Sequence, residues 1–289
     1  MKNKIAVIGA PNVGKSSIVN AIVGENVGIV TDLAGTTRDL IRGFAKNFEI
    51  IDTPGMLKSD DLLSRHMRKS ISAGVRDADL ILYVMDATRI DDRDIEKIGN
   101  YRDKIPVVVA VNKSDKTTHA KFFPGLERLK PLDFVHAIVP CSAKTGFNID
   151  VLESELGRAL KNKGEAIDQA DPDDFTDQSV KKMAGEIIRA SIIQNMYDEI
   201  PHGVAVLITK FIESAKVIEI HADIICEKQS HKPMIIGKRG ENIKKIGIQS
   251  RVEIAKLVDC DVRLFTHVIV RPGWKNDKEL LNRIHQLHV

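Results

Sequence analysis

Cysteine is scarce in this chain: Cys141, Cys226 and Cys260 lie far apart among 289 residues, with no CxxC pair. That excludes a disulfide framework and a cysteine-based zinc cluster, and leaves reduced thiols. Aromatic residues make up only 4%, with a single tryptophan, which argues against a nucleic-acid platform of stacked rings. No run approaches 18 consecutive apolar residues, and the opening MKNKIAVIGA is too short in its apolar part for a signal peptide and lacks a cleavage-type sequence. A cytoplasmic location is expected. Internal repeats and low-complexity segments are missing, and His221, His231 and His267 lack the spacing of a metal site.

What is present is the composition of a folded protein, 43% apolar and 29% charged, long enough for two domains. The net charge of +3 is unevenly spread. Residues 176–289 carry 18 Lys+Arg against 14 Asp+Glu, whereas the remainder is balanced, 25 against 26. Between 227 and 256 there are eight basic and three acidic residues, a bias suited to a polyanion.

The first half alternates short β-rich runs with helical patterns. DLILYVMDA, IPVVVAVN and HAIVPCS are almost continuously apolar, as strands of a mostly parallel sheet covered by helices on both faces should be. An α/β domain is expected over residues 1–163. Gly164, Pro172 and a crowd of acids then mark a linker, placed at 164–176. Residues 177–289 read as an α+β domain: a helix over Ser179–Met196, strands in GVAVLITKFIE, AKVIEIHADIICE and CDVRLFTHVIV, and a last helix from Asn276.

GAPNVGKS, Gly9 to Ser16, follows a buried strand and opens a helix, which is the context a phosphate loop needs. Glycines at 9 and 14 let successive N–H groups point at phosphate oxygens, and the helix N-terminus favours an anion. The loop supplies Pro11, Asn12, Val13 and Ser17 beside the nucleotide, Lys15 for the β and γ phosphates, and Ser16 for Mg²⁺. Downstream, NKSD offers Asn112, Lys113 and Asp115. A carboxylate at Asp115 can accept from guanine N1–H and the exocyclic amine, whereas adenine N1 is an acceptor and leaves the charge unpaired. CSAK contributes Ser142, Ala143 and Lys144, with the Ala143 N–H suited to guanine O6. In IIDTPG, Asp52 suits a Mg²⁺ shell, Thr53 and Pro54 line the nucleotide, and the Gly55 N–H suits a γ-phosphate. AGTTRD adds Thr37 as a second Mg²⁺ ligand, and Arg38 reads as a solvated switch charge. Lys15, Thr37 and Gly55 are thus the candidates for catalysis, with GTP and GDP as the nucleotides.

With these motifs in this order, and with FTDQSVKKMAGEIIRASI, MIIGKRGENIKKIGIQSR and the late VIVRPGW, the chain resembles the Era family of GTPases along nearly its whole length. The resemblance implies an α/β P-loop GTPase domain followed by an α+β KH domain of type II. It also implies a GTP-hydrolysing monomer that binds the 3′ region of small-subunit ribosomal RNA and assists assembly of the small ribosomal subunit. Peripheral contact with the inner face of the cell membrane is compatible with it. The alternatives are a GTPase of tRNA modification, suggested by GTTRD, and a GTP-dependent membrane-associated signalling adaptor.

A KH domain grips about four unstacked nucleotides beside a GxxG loop between two helices. Gly237, Lys238, Arg239 and Gly240 fit that loop, with Lys244 and Lys245 extending the charge and Ile235, Ile236 and Ile243 lining a groove; Ile246 and Ile248 read as core. Single-stranded RNA is the expected partner. Met56 stands where many GTPases carry a glutamine that orients water. A thioether does this poorly, so a slow intrinsic rate is expected. Asn12 with AGTTRD resembles the potassium-activated GTPases, which implies K⁺ held by Asn12 beside the β and γ phosphates.

Overall fold

The computed structural model describes residues 3–28, 37–45, 47–55, 59–161, 176–197, 200–214 and 216–285. Met56 and the linker residues 164–175 lie outside them. The chain divides into two compact units, largely the residues up to Asp177 and those from Gln178 onward.

The first unit is built on strands β1 (Asn3–Gly9), β2 (Ile41–Phe44), β3 (Phe48–Asp52), β4 (Leu80–Asp86), β5 (Val107–Asn112) and β6 (Val135–Pro140). Their order is β2-β3-β1-β4-β5-β6, all parallel except β2, which forms a short hairpin with β3. Helices α1 (Lys15–Val23), α2 (Leu62–Arg76), α3 (Asp92–Gly99), α4 (His119–Leu129) and α5 (Ile149–Lys161) connect them. Side chains alternate along each strand, so the continuous apolar runs feed two cores. Leu82, Val84, Val108 and Ala110 pack with Ile18 of α1 and Leu152 of α5. Their neighbours Ile81, Tyr83, Val107 and Val109 pack on the other face with Ile98 of α3 and Phe122 of α4. The Asp91 carboxylate caps α3 by accepting the Arg93 N–H at 3.0 Å. Thr176 bridges Gly43 of β2 and donates its hydroxyl to the Arg42 carbonyl at 2.8 Å.

The second unit has α6 (Val180–Asn195), β7 (Val204–Glu213), β8 (Val217–Cys226), α7 (His231–Ile236), α8 (Glu241–Val258), β9 (Asp261–Val270) and α9 (Lys278–His285). Its sheet runs β7-β8-β9, with β7 antiparallel and β9 parallel to β8. Strict alternation along β8 turns Ile218, Ile220, Ala222 and Ile224 into a core with Ile188, Ile192, Ile235, Ile246 and Ile254 from the helices. Glu219, His221 and Asp223 point to the other face. The Ser179 side chain caps α6 by accepting from Lys182 N at 3.3 Å. Trp274 is fully buried and donates from Nε1 to the Gly203 carbonyl at 3.1 Å.

Two sequence expectations need correction. Ile235, expected in a ligand groove, is fully buried in the core, and Ile248, expected in the core, is 50% exposed. On a helix, residues two apart lie on nearly opposite sides, so Ile246 and Ile248 cannot both face the sheet. Ile246→Ala should therefore cost about 2–5 kcal/mol in urea unfolding, and Ile248→Ala less than about 1 kcal/mol. Equal losses would contradict this placement of α8.

Candidate functional site

β1 is buried on both sides and delivers Gly9 to the C-terminal edge of the sheet beside Val84 of β4. Gly9 has φ 152°, and a Cβ there would sit 2.2 Å from the Val84 carbonyl oxygen. Gly14 has φ 94°, and its Cβ would lie 2.3 Å from the Asn112 amide nitrogen. Both positions require glycine for space as well as for conformation. Between them Pro11 is half-buried, Asn12 is exposed and left-handed at φ 63°, and Val13 packs into the core.

Lys15 opens α1 and is 7% exposed. Its ammonium donates to the carbonyls of Gly9 at 3.2 Å and Ala10 at 3.1 Å. Burial pushes its pKa down, against the opposing charge of Asp52. Next to it, Ser16 Oγ donates to Asp52 Oδ2 at 2.5 Å and lies 3.0 Å from Thr37 Oγ1, which is 3.4 Å from the same carboxylate oxygen. Asp52 is fully buried, and its Oδ1 has no hydrogen-bond partner among the described residues. Burial raises its pKa, while Lys15 and the hydrogen bonds of Ser16, Thr37 and Thr53 lower it. Two hydroxyls and a carboxylate with an uncommitted buried oxygen are a hard-oxygen donor set of the kind Mg²⁺ takes. The residues fit that ion.

The Thr53 hydroxyl donates to the Val7 carbonyl at 2.7 Å, fixing the segment that follows β3. Gly55 then abuts the phosphate loop: a Cβ there would meet Pro11 Cα at 3.3 Å. Ser17 is half-buried in the first turn of α1. Arg38, expected to be solvated, is instead buried at 6% exposure; a guanidinium so enclosed is held by protein groups and not by water.

At the far end of the sheet, the Asn112 side chain joins two loops. Its Nδ2 donates to the Val13 carbonyl at 2.9 Å, and its Oδ1 accepts the Ala143 N–H at 3.0 Å. The N–H that sequence assigns to guanine O6 is thus held by Asn112 in this structure. Lys113, left-handed at φ 64°, donates to the Asn12 carbonyl and, at 2.7 Å, to Asp86 Oδ2. Ser142 is buried, and its hydroxyl donates to Asp115 Oδ1 at 2.6 Å, while Asp115 and Lys144 are exposed. Sequence reasoning missed Asp86. Its signal was present, because it ends a buried parallel strand at the same sheet edge as Asp52 and Asn112.

In the second unit, α7 ends at Gly237, whose N–H bonds the Pro233 carbonyl at 2.8 Å. Gly237 has φ 77°, and a Cβ would lie 2.8 Å from the Asn242 backbone nitrogen. Arg239 at φ 54° and Gly240 at φ 80° are left-handed too. Asn242 Nδ2 donates back to the Met234 carbonyl at 2.9 Å, tying α8 to α7 across the turn. Lys238, Arg239, Lys244 and Lys245 are exposed, and Ile236 and Ile243 are half-buried beside them.

A family model described as 50S ribosome-binding GTPase matches residues 4–113, and one described as KH domain matches residues 199–275. The chain is 38% identical to GTPase Era of Ruminiclostridium cellulolyticum over 97% of its own length and 95% of that protein's. The chain belongs to the Era family of GTPases. GTPase Era of Pseudomonas entomophila is 33% identical over the same shares. Among solved structures, a variant of Aquifex aeolicus Era bound to GDP and AlF4⁻ superposes with a TM-score of 0.90 at 32% identity, covering 99% of both chains. An Era complex with MgGDPNP and nucleotides 1506–1542 of 16S ribosomal RNA gives 0.89 at 32% identity, covering 99% of this chain and 98% of that one. The family resemblance drawn from motifs therefore extends to the whole fold, a six-stranded, mostly parallel GTPase sheet followed by a KH domain.

Asn112→Ala removes both bonds that hold the Val13 and Ala143 segments in register. We expect GTP to bind about 10- to 100-fold more weakly, the scale of two lost hydrogen bonds, by calorimetry on a variant whose thermal melt remains cooperative. Unchanged affinity would show that the two loops need no tie.

Proposed function

We propose that this GTPase binds GTP and GDP with Mg²⁺ in the first unit and single-stranded RNA at the Gly237–Gly240 loop of the second, acting as a switch in small ribosomal subunit assembly. The observation that carries the reading is the pairing, in one chain, of a phosphate loop closed over a buried lysine with an exposed basic GxxG turn. The Era relative solved with MgGDPNP and 16S ribosomal RNA supports a ribosomal RNA target of the same kind.

In the proposed nucleotide site, residues 9–17 wrap the phosphates. The first N–H groups of α1 carry the partial positive charge of a helix start. The Lys15 ammonium moves from two backbone carbonyls to the β and γ phosphates, exchanging weak acceptors for charged ones. Ser16, Thr37 and Asp52 would hold Mg²⁺, which when bound neutralises charge on the phosphate oxygens. Asp115 selects guanine through two accepted hydrogen bonds. Ser142 supports it by occupying Oδ1 from one side, and Lys144 flanks the base. Gly55 and Thr37 offer backbone groups that orient the attacking water, so most of the catalysis is positioning and charge stabilisation.

For potassium, Asn12 is the proposed ligand. Its exposed, left-handed position next to Gly9–Lys15 supports this, as does the Lys113 bond that fixes its carbonyl. Hydrolysis in matched K⁺ and Na⁺ buffers should be at least several-fold faster in K⁺, and Asn12→Ala should abolish the difference. Equal rates for the unsubstituted protein remove this ion from the mechanism.

The two-ligand reading is tested by the double variant Lys238→Asp, Arg239→Asp. Charge reversal at two exposed positions should weaken single-stranded RNA binding at least tenfold while leaving GTP affinity within twofold, measured by fluorescence anisotropy and calorimetry. Full RNA affinity in that variant would refute the RNA-binding role of the loop.

A further inference from the structure

The open face of the second unit's sheet carries a feature that aromatic scarcity hides. His221 of β8 and Phe265 of β9 are direct cross-strand partners, and their rings stack with centroids 4.8 Å apart and planes 26° from parallel. Both side chains point away from the helix-covered core. β9 is an edge strand of the sheet, so the Phe265 face turned away from His221 looks out past that edge. Accordingly, Phe265 is 51% exposed.

The alternation of β9 places Arg263 and His267 on the same face, two residues before and after Phe265. Both are exposed. Of the acids on this face, Glu219 accepts from Lys210 at 3.0 Å and contacts His221 at 2.9 Å, and Asp223 lies 3.7 Å from His267, while exposed Asp261 opens the strand two residues before Arg263. Beyond that strand start, Arg263 and an open ring face are presented to a ligand along the edge. α7 and α8, which carry the Gly237–Gly240 loop, pack against the covered face of this same strand, so the β9 edge lies between the surface assigned to RNA above and the open face that carries Phe265.

We propose that the β9 edge, through Phe265 and Arg263, is a second contact for single-stranded RNA, on which one unpaired base extends the His221–Phe265 stack while Arg263 meets a flanking phosphate. The inference rests on the RNA-binding reading of the second unit. An unpaired base fits because it supplies a planar π-face whatever its identity, and because its phosphate complements the arginine beside the ring. A groove that holds about four nucleotides leaves a longer strand with bases to place elsewhere, and this edge provides for the next.

The test uses the full chain, with fluorescein-labelled single-stranded RNAs of about four and about ten nucleotides in anisotropy titrations. Phe265→Ala should weaken the longer RNA roughly five- to tenfold and leave the shorter within twofold, the size of one lost base stack. Phe265→Leu, which keeps apolar bulk but no ring face, should repeat the loss if Phe265→Ala proves poorly folded, and Phe265→Trp should restore binding. Arg263→Gln should reduce the slope of log affinity against log salt by about 0.7, one phosphate contact on a single strand. Unchanged affinity for the longer RNA in both Phe265→Ala and Phe265→Leu would overturn the proposal. If the Lys238→Asp, Arg239→Asp variant still loses binding in that case, only the stacking contact falls. If it too binds normally, the RNA reading falls with it.

Discussion

The nucleotide unit is organised around a buried pair of opposite charges. Lys15 and Asp52 sit beneath the phosphate loop, largely removed from water, at the ends of an α-helix and a β-strand that the sheet brings together. Burial disfavours both charges, pulling the lysine pKa down and pushing the carboxyl pKa up, and their mutual attraction opposes each shift. Such a pair is a weak source of stability, because desolvation offsets most of the Coulomb gain. Its value lies in what it leaves incomplete. The lysine settles for two neutral carbonyls and the aspartate keeps an oxygen with no partner among the described residues, so a polyanion with a hard cation would satisfy both at once.

That arrangement depends on neighbours that tolerate no side-chain growth. Gly9 and Gly14 are walled in by Val84 and Asn112 respectively, so the loop can close only if β4 and β5 lie in their observed register. Asn112 is at once the wall beside Gly14 and the tie between the Val13 and Ala143 segments. Lys113 repeats the device one residue later, from Asp86 to Asn12. Strand ends thereby secure the order of the loops before any ligand arrives, a preorganisation that favours binding.

Much of this was legible in the sequence, for physical reasons that can be named. Continuous apolar runs mark strands buried on both faces, and glycine spacing before Lys15 marks a loop that needs left-handed backbone. The side-chain assignments within helices were less secure. Ile235 was misplaced because a turn with three residues at positive φ separates α7 from α8 and resets the helical phase, whereas Ile248 lies two residues from buried Ile246 on α8 and so faces the opposite side. No periodicity read across that turn can give the phase. Arg38 was misjudged because charge alone signals solvent, while tertiary enclosure is not local. The His221–Phe265 stack was invisible for a related reason: a low aromatic fraction says nothing about whether two rings 44 residues apart fall opposite each other in register.

The two glycine loops solve opposite problems with the same backbone chemistry. The first encloses Lys15 at 7% exposure, where a charge–phosphate contact is strong, little screened by salt and intolerant of misplacement. The second holds Lys238 and Arg239 in solvent, on a turn whose positive φ values Gly237 and Gly240 allow and which the Asn242 bond ties back to α7. Exposed cations attract a polyanion at a distance but discriminate little and weaken as salt rises. A compact ligand, released only after its chemistry is complete, suits enclosure. A long, flexible strand suits an open surface to which contacts can be added singly, without closing the site.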